Sequence, residues 1–478
     1  MKRAARWICS SMSVVLAACD GGQVVGDAAI DARSDGPIDV IRDGSIPMDV
    51  VAPTDGVVQL DAPITDVVDA SDVTTPSATV DVSTLTGHLY MGYQGWFIAP
   101  GDGSAFGEWH HWSSGPTPAA GNLTFDAWPD LAEYPAGDLI PTALHYSDGT
   151  VAALFSAYHD STVDLHMRWM RDYGIDGVHL QRFISELRDP RALAFRDTVT
   201  RHVRDGAERY GRGFAIMYDI SGASASTVVD DIERDWMHMV DDLGVTASDR
   251  YLHHHGRPVL GIWGFGFTDR VGTPAQAAQL IQWLTADAPA PYRVTVIGGV
   301  PSRWRTLTAD SSTDPAWAAV YRSYDVISPW LVGRYANDTD VQSYARNVIL
   351  GDVVEATRVG RDYLPVVFPG FSWANLMHTT MFDQIPRRGG AFWWRQLYEW
   401  QGAGCNMIFG AMFDEVDEGT AMFKIASRRT DAPMDAQFLT LDADGTVWPS
   451  DWYLRLAGEG ARMLRGEIPR TMTVPISP

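Results

Sequence analysis

Cysteine is nearly absent from this chain: its 478 residues include three, Cys9, Cys19 and Cys405. A scaffold built on disulfides is therefore excluded. Basic residues are also in deficit, with 37 Lys and Arg against 60 Asp and Glu and a formal net charge of −23, so nucleic acid is not an expected partner. The signatures of several chemistries are missing too. No GxGxxG follows an early strand and opens a helix, which leaves a dinucleotide fold without its fingerprint. No GxSxG elbow offers a serine nucleophile. The histidine run at 253–255 has no HExxH or cysteine cluster beside it, and on a strand its members would point to alternate faces. "DADG" at 442–445 is a fragment of a calcium-loop pattern that lacks the remaining ligands and reads as a β-turn. No metal and no organic cofactor is expected. Aromatic residues, finally, are wholly missing between Asp20 and Thr86.

That last gap marks a boundary. Within it Asp, Ala, Val, Pro and Gly dominate, and Asp recurs at Asp27, Asp31, Asp35, Asp39 and Asp43, so that about half of the net charge sits there. Such a segment cannot bury enough surface to fold, and "DGP" and "IPMD" interrupt any helix, so residues 20–86 are expected to be a disordered, self-repelling linker. Ahead of it, "MKRAARWICSSMSVVLAACDGG" has basic Lys2, Arg3 and Arg6, a short apolar stretch and small residues before Cys19. This is the layout of an export signal over residues 1–19, too short to span a bilayer. "LAAC" at 16–19 resembles the bacterial lipobox, which implies lipidation of Cys19 and anchoring to a membrane of the bacterial cell envelope. The alternative is a plain secretory signal with an incidental cysteine. Asp20 resembles an inner-membrane retention signal of enteric bacteria, a rule that does not transfer between bacterial groups, and the outer membrane or cell surface is favoured. With Cys9 removed and Cys19 lipidated, Cys405 has no disulfide partner.

From Gly87 onward the composition reverses, and all but one of the 18 Trp and all 17 Tyr lie in this part. Apolar runs of strand length recur at 89–97, 175–183, 213–221, 257–265, 292–300, 324–332, 363–371 and 405–413. Amphipathic segments separate them: "STVDLHMRWMRDYG" sets Val163, Met167 and Met170 on one face, and "TVVDDIERDWMHMVDDLG" does the same with Val229, Ile232, Trp236 and Val240. A further helix, "DWYLRLAGEGARMLRGE", follows the last run. Eight such units predict an α/β fold, a (β/α)8 TIM barrel over 87–478, preceded by the acidic linker. A doubly wound sheet is the alternative.

In a barrel, chemistry belongs at the C-terminal ends of the strands. Those ends carry Tyr93, Trp96, Gln181, Arg182, Asp219, Trp263, Trp330, Trp373 and, after the eighth run, Asp414, Glu415 and Glu418. Aromatic faces, hydrogen-bonding groups and carboxylates on one rim are what a sugar requires, since indoles stack on pyranose faces and hydroxyls need paired donors and acceptors. A Trp taken singly is more often core. The acid run "DEVDE" has a bland reading as well, as the first turn of a helix complementing its dipole.

Several motifs carry a resemblance. "GYQGWF", "DGS" and "WHHW" at 109–112 resemble the opening of glycoside hydrolase family 99 endo-α-mannosidases, and "DLHMRWMRDYGIDGVHLQRF", "GRPVLGIWG" and "MFDEVDEGT" resemble later segments of them. "PGFSW", "GGAFWWRQ" and "AMFDEVDEGTA" are especially similar to the bacterial family 71/99-like group, and the similarity covers about residues 87–467. The resemblance implies a monomeric glycoside hydrolase acting on an α-glycan, with Glu415 as base on the sugar 2-hydroxyl, giving a 1,2-anhydro intermediate, and Glu418 as acid. It also implies that His111 and Trp112 contact substrate. On a helical turn, residues three apart have Cβ atoms ~5–6 Å apart, close to the ~5–5.5 Å carboxyl separation of retaining glycosidases. Where family 99 has Asn and Trp around the pair, this chain has Asp414 and Val416, and "YDIS" stands in place of a glutamate-containing segment, so mannose specificity is not implied. A glycan-binding lipoprotein without turnover, and an inverting glycosidase pairing Asp219 with Glu418, are the alternatives.

Overall fold

The computed structural model describes residues 79–478. The signal segment, Cys19 and the linker as far as residue 78 lie outside the described residues.

Each of the eight apolar runs supplies one parallel strand: β1 (Leu89–Tyr93), β2 (Gly177–Phe183), β3 (Gly213–Asp219), β4 (Arg257–Trp263), β5 (Thr295–Val300), β6 (Val326–Pro329), β7 (Asp362–Tyr363 and Val366–Val367) and β8 (Ile408–Gly410). They pair in chain order, and β8 returns to β1 with Leu89 opposite Ile408. The seventh strand closes the ring. Its first half pairs with β6 and its second half with β8, across the Leu364–Pro365 step where proline has no N–H to give.

Helices alternate with the strands: α1 (Asp160–Asp172), α2 (Pro190–Tyr210), α3 (Val228–Asp241), α4 (Pro274–Gln282), α5 (Trp317–Tyr321), α6 (Asp338–Tyr344, running on through 345–349 into Leu350–Arg358), α7 (Ala391–Gly402) and α8 (Trp452–Leu464). Their ends are written locally. On α2, the Asp189 side chain accepts from the Arg191 N–H, Pro190 occupies the first turn, and Gly211 ends the helix in the left-handed region. Val163, Met167 and Met170 on α1, and Val229, Ile232 and Trp236 on α3, are buried as their spacing requires.

Strand alternation divides β2 and β3 into two faces. His179 and Gln181 share one face with Met217 and Asp219, register partners or hydrogen-bonded neighbours across the pair, whereas Arg182 and Tyr218 face the helices. One register line then carries Phe183, Asp219, Trp263 and Gly299 side by side at the C-terminal ends of β2 to β5. Gly299 is required there, because a Cβ would lie 2.4 Å from the Trp263 ring.

The expected domain boundary at residue 87 falls too late. Val80 and Leu85 are buried; the Val80 N–H donates to the Gly211 carbonyl (2.9 Å), and the Val82 carbonyl accepts from the His253 N–H (2.7 Å). The segment 79–86 thus straps the end of the barrel where strands begin. A few aliphatic residues suffice for this, so the lack of aromatics concealed it.

The histidine run is only in part a strand: His253 and His254 pair antiparallel with Pro258 and Arg257 at the start of β4, and the strand ends there. His255 (φ 51°) and Gly256 form a tight turn that brings His254 and His255 onto the same Asp362 oxygen, at 2.9 and 2.6 Å. The Leu85 N–H donates to His254 Nδ1 (3.2 Å), so the ring proton sits on Nε2 and points at the carboxylate. His254 thus offers the Asp362 carboxylate a proton and not a lone pair.

Candidate active site

The acid run follows β8 at the C-terminal end of the barrel. Residues 416–419 form a turn and not the helix that the spacing suggested. It is held from four sides. Gln94 and Gly95 N–H donate to the two Asp414 oxygens (2.7 and 2.8 Å). Asp126 and Ala127 N–H donate to the Val416 carbonyl, Ser372 N–H to the Glu418 carbonyl, and Arg387 to the carbonyls of Gly419 and Ala421. Asp126, fully buried, in turn accepts from Ser372 Oγ and from the Ala374 and Asn375 N–H groups, which fixes the loop after β7. Gly95 must be glycine: it has φ 53°, and a Cβ would come 2.8 Å from Val199.

Glu415 is buried and Glu418 half-buried. Gln94 Nε2 donates to Glu415 Oε2 at 2.6 Å. Burial, then the Glu418 charge, push the Glu415 carboxyl well above its usual range, with the Gln94 bond pulling the other way. Burial pushes Glu418 up to about 7 and Asp414 up to about 6. Asp417 is also raised, by burial and then by Glu415 and Glu418. Its Oδ2 meets His111 Nδ1 at 3.1 Å. His111, half-buried, holds φ 62°, and desolvation together with the Arg196 charge lowers its pKa, which favours the neutral ring.

The other rim residues divide. Asp219 is buried, accepts from the Ser221 N–H (2.7 Å), is raised to about 6 by burial, and adds its charge to the field at Glu415. Trp263, Phe267 and half-buried Trp330 form an aromatic cluster separate from the main core, with Trp263 and Trp330 edge to face at 5.6 Å. Trp96 is sandwiched between His111 (3.9 Å, 9°) and Phe183 (5.3 Å, 29°), so it presents an edge and a buried Nε1 without a protein partner, and no free stacking face. Gln181 is buried and donates to Met217 Sδ (3.1 Å). Trp373 is buried against Phe371.

Three expected substrate contacts are not on the rim. Arg182, adjacent to Gln181 on a strand, faces the opposite way. It is fully buried and tied to Asp235 (2.7 and 2.8 Å) and Asp197 (3.1 Å). Tyr93 likewise points outward, where its hydroxyl meets His166 Nδ1 at 2.8 Å. Trp112 is core, packed on Phe97 and donating to the Phe155 carbonyl. Sequence reading missed Gln94, whose signal was its place directly after β1 between two site candidates.

The molecule is thus a (β/α)8 barrel with a carboxylate cluster beyond β8. No protein-family model and no curated protein matches the chain by sequence. In fold, it is similar to the GH99 endo-α-mannosidase from Bacteroides thetaiotaomicron, with a TM-score of 0.57 and 14% identity over 80% of this chain and 99% of that one. The complex of that protein with Bis-Tris propane gives 0.57 and 14% over 81% and 99%.

Proposed function

We propose that this protein is a glycoside hydrolase that cleaves an α-linked glycan with retention of configuration. The observation that carries the reading is the Glu415–Glu418 pair: two carboxylates at the C-terminal end of a barrel of this fold, both raised, and only one of them with a hydrogen-bond donor aimed at it. Acids whose charges raise one another lose their protons in separate steps, so the pair can hold one proton near neutrality. The Gln94 bond is the one contact that favours the ionised form of Glu415, against burial and the charges of Glu418, Asp414 and Asp219, and for that reason we assign Glu415 the base role and Glu418 the acid role in the reacting complex. Glu415 then takes the proton of the sugar 2-hydroxyl as O2 bonds to C1, while the glycosidic bond breaks and Glu418 protonates the leaving oxygen. In the second half Glu418 takes a proton from water, the water oxygen bonds to C1 as the C1–O2 bond breaks, and O2 recovers its proton from Glu415. Half-buried Trp330, backed edge to face by buried Trp263, serves as the sugar-stacking surface. Asp219 supports a second reading, inversion with Asp219 as base, because it shares the rim and its charge reaches Glu415.

The test is incubation of the protein with α-mannan, α-1,3-glucan and arabinoxylan, reading released sugars and their anomeric form. Retained product supports the first reading and inverted product the second; no release from any α-glycan by protein that still binds one would make it a binding lipoprotein. A 2-deoxy substrate that binds but does not turn over separates the anhydro route from an ordinary glycosyl ester. We also propose attachment to the bacterial envelope through lipid on Cys19: Cys19→Ala should yield unlipidated protein, and an unmodified mature N-terminus by mass spectrometry would refute the anchor.

A further inference from the structure

Gln94 joins both halves of the site. Its N–H binds Asp414, its side chain binds Glu415, and its carbonyl accepts from Arg196 Nη1 at 2.8 Å. Arg196 is buried, paired with Glu186 at 2.7 Å and stacked over Phe183. The backbone of Gln94 is thereby fixed from two sides, and its amide has little freedom beyond turning about its own axis. An ionised carboxylate only accepts, so against it the amide must present Nε2. A protonated carboxyl donates, and against it the amide can present Oε1. In the structure Nε2 faces Glu415, and Oε1 is buried with no protein partner.

We propose that Gln94 is a positioning residue that favours the ionised form of Glu415 against its acidic surroundings, and that the charge on Glu415 in turn decides which end of this amide is left for a ligand. With Glu415 ionised, a buried carbonyl remains to accept from a donor such as a sugar hydroxyl. With Glu415 protonated, it is lost. The groups facing Glu415 are Asp414, Asp417 and Glu418 on its own loop and Asp219 from β3. All are acidic, so each favours protonation, and the neutral amide is the group that opposes them. Arg196 acts behind Gln94 and on Asp414, and His111 is engaged by Asp417. The role rests on the glycosidase reading only for its purpose, since charge and amide orientation are measurable without turnover.

The experiment is a carboxyl titration of 13C-glutamate-labelled full-length protein, with the Glu415 signal assigned from Glu415→Gln. Gln94→Leu, similar in size and without donors, should raise the Glu415 midpoint by about one pH unit, a tenfold change in its ionisation constant. Gln94→Glu, which keeps shape but adds a carboxylate, should raise it further. In the parent protein, the 15N-labelled Gln94 side-chain amide should shift with the same midpoint. An unmoved Glu415 midpoint in folded Gln94→Leu would overturn the role. If Gln94→Leu fails to fold, the parent amide signal decides alone, and its indifference to pH across the Glu415 titration would overturn the proposal. Absence of glycan cleavage with these shifts intact would sink the function and leave this inference standing.

Discussion

Glu415 and Glu418 must hold opposite protonation states although the same burial raises both. Their removal is the first prediction: Glu415→Gln and Glu418→Gln should each lower turnover at least ~10²-fold with the fold intact, as for general acid–base groups. The acid form of Glu418 is present below a pKa of about 7 and lost above it, so kcat/KM should fall as pH rises through that value. A plateau extending well into alkaline pH would move the acid role elsewhere. Arg182 is the contrasting residue. Its guanidinium is fully buried and paired with two aspartates, and removing it would leave their charges uncompensated. Arg182→Ala should therefore cost ~3–5 kcal/mol of stability by denaturant melting. Truncation that leaves the melt unchanged but weakens glycan binding would put Arg182 back on the rim.

At the level of elements, the strap 79–86 behaves as part of the barrel. Val80 and Leu85 are buried, and burying a side chain of this size contributes ~1.5–3 kcal/mol. A fragment starting at residue 79 should melt like the intact protein, and one starting at residue 87 several degrees lower; equal melting temperatures would detach the strap from the core. This element was hidden in the sequence because composition was read by its aromatics, whereas the eight strands were plain, since parallel strands buried on both faces read as unbroken apolar runs. The helices were legible for a similar reason, their apolar spacing. What strand runs did not reveal was direction. Gln181 and Arg182 are adjacent, so one of them had to face away, and the charged partners that settle the choice, Asp197 and Asp235, come from α2 and α3. Tyr93 was misplaced in the same way, its partner His166 lying on α1. Trp112 went inward because the excursion between β1 and α1 folds back on itself, which no local period announces.

Across the whole molecule, buried ionisable groups set how stability responds to pH. Burial raises Asp126, Asp219, Asp352 and Asp414 to about 6 and Glu418 to about 7, and holds Glu415 and Asp417 higher than their usual range. A group raised on folding binds more protons in the folded state, so its stabilisation is complete below the unfolded pKa and lost as pH rises through the folded one. Buried histidines oppose this. His166 and His179 fall to about 3, and His111 and His202 are lowered too, so they destabilise the fold as pH drops below their unfolded value of ~6.5. Glu355, lowered to about 2 by Arg358 and Arg322, loses its contribution only in stronger acid. With Glu233 and Asp383, which are also raised, nine raised carboxylates among the described residues outnumber the four lowered histidines, and above about pH 6.5 the histidines drop out of the balance while the protons held by the Glu415–Asp417–Glu418 cluster remain. The melting temperature should therefore decline from about pH 5 to pH 8, and Glu415→Gln or Glu418→Gln, which removes a charge from the cluster, should flatten that decline and raise the melting temperature at pH 8 by about 2 °C. A melting temperature that climbs over the same range in the parent protein would mean that the acid cluster keeps its protons no better folded than unfolded, and with that the raised acid at Glu418 would lose its physical basis.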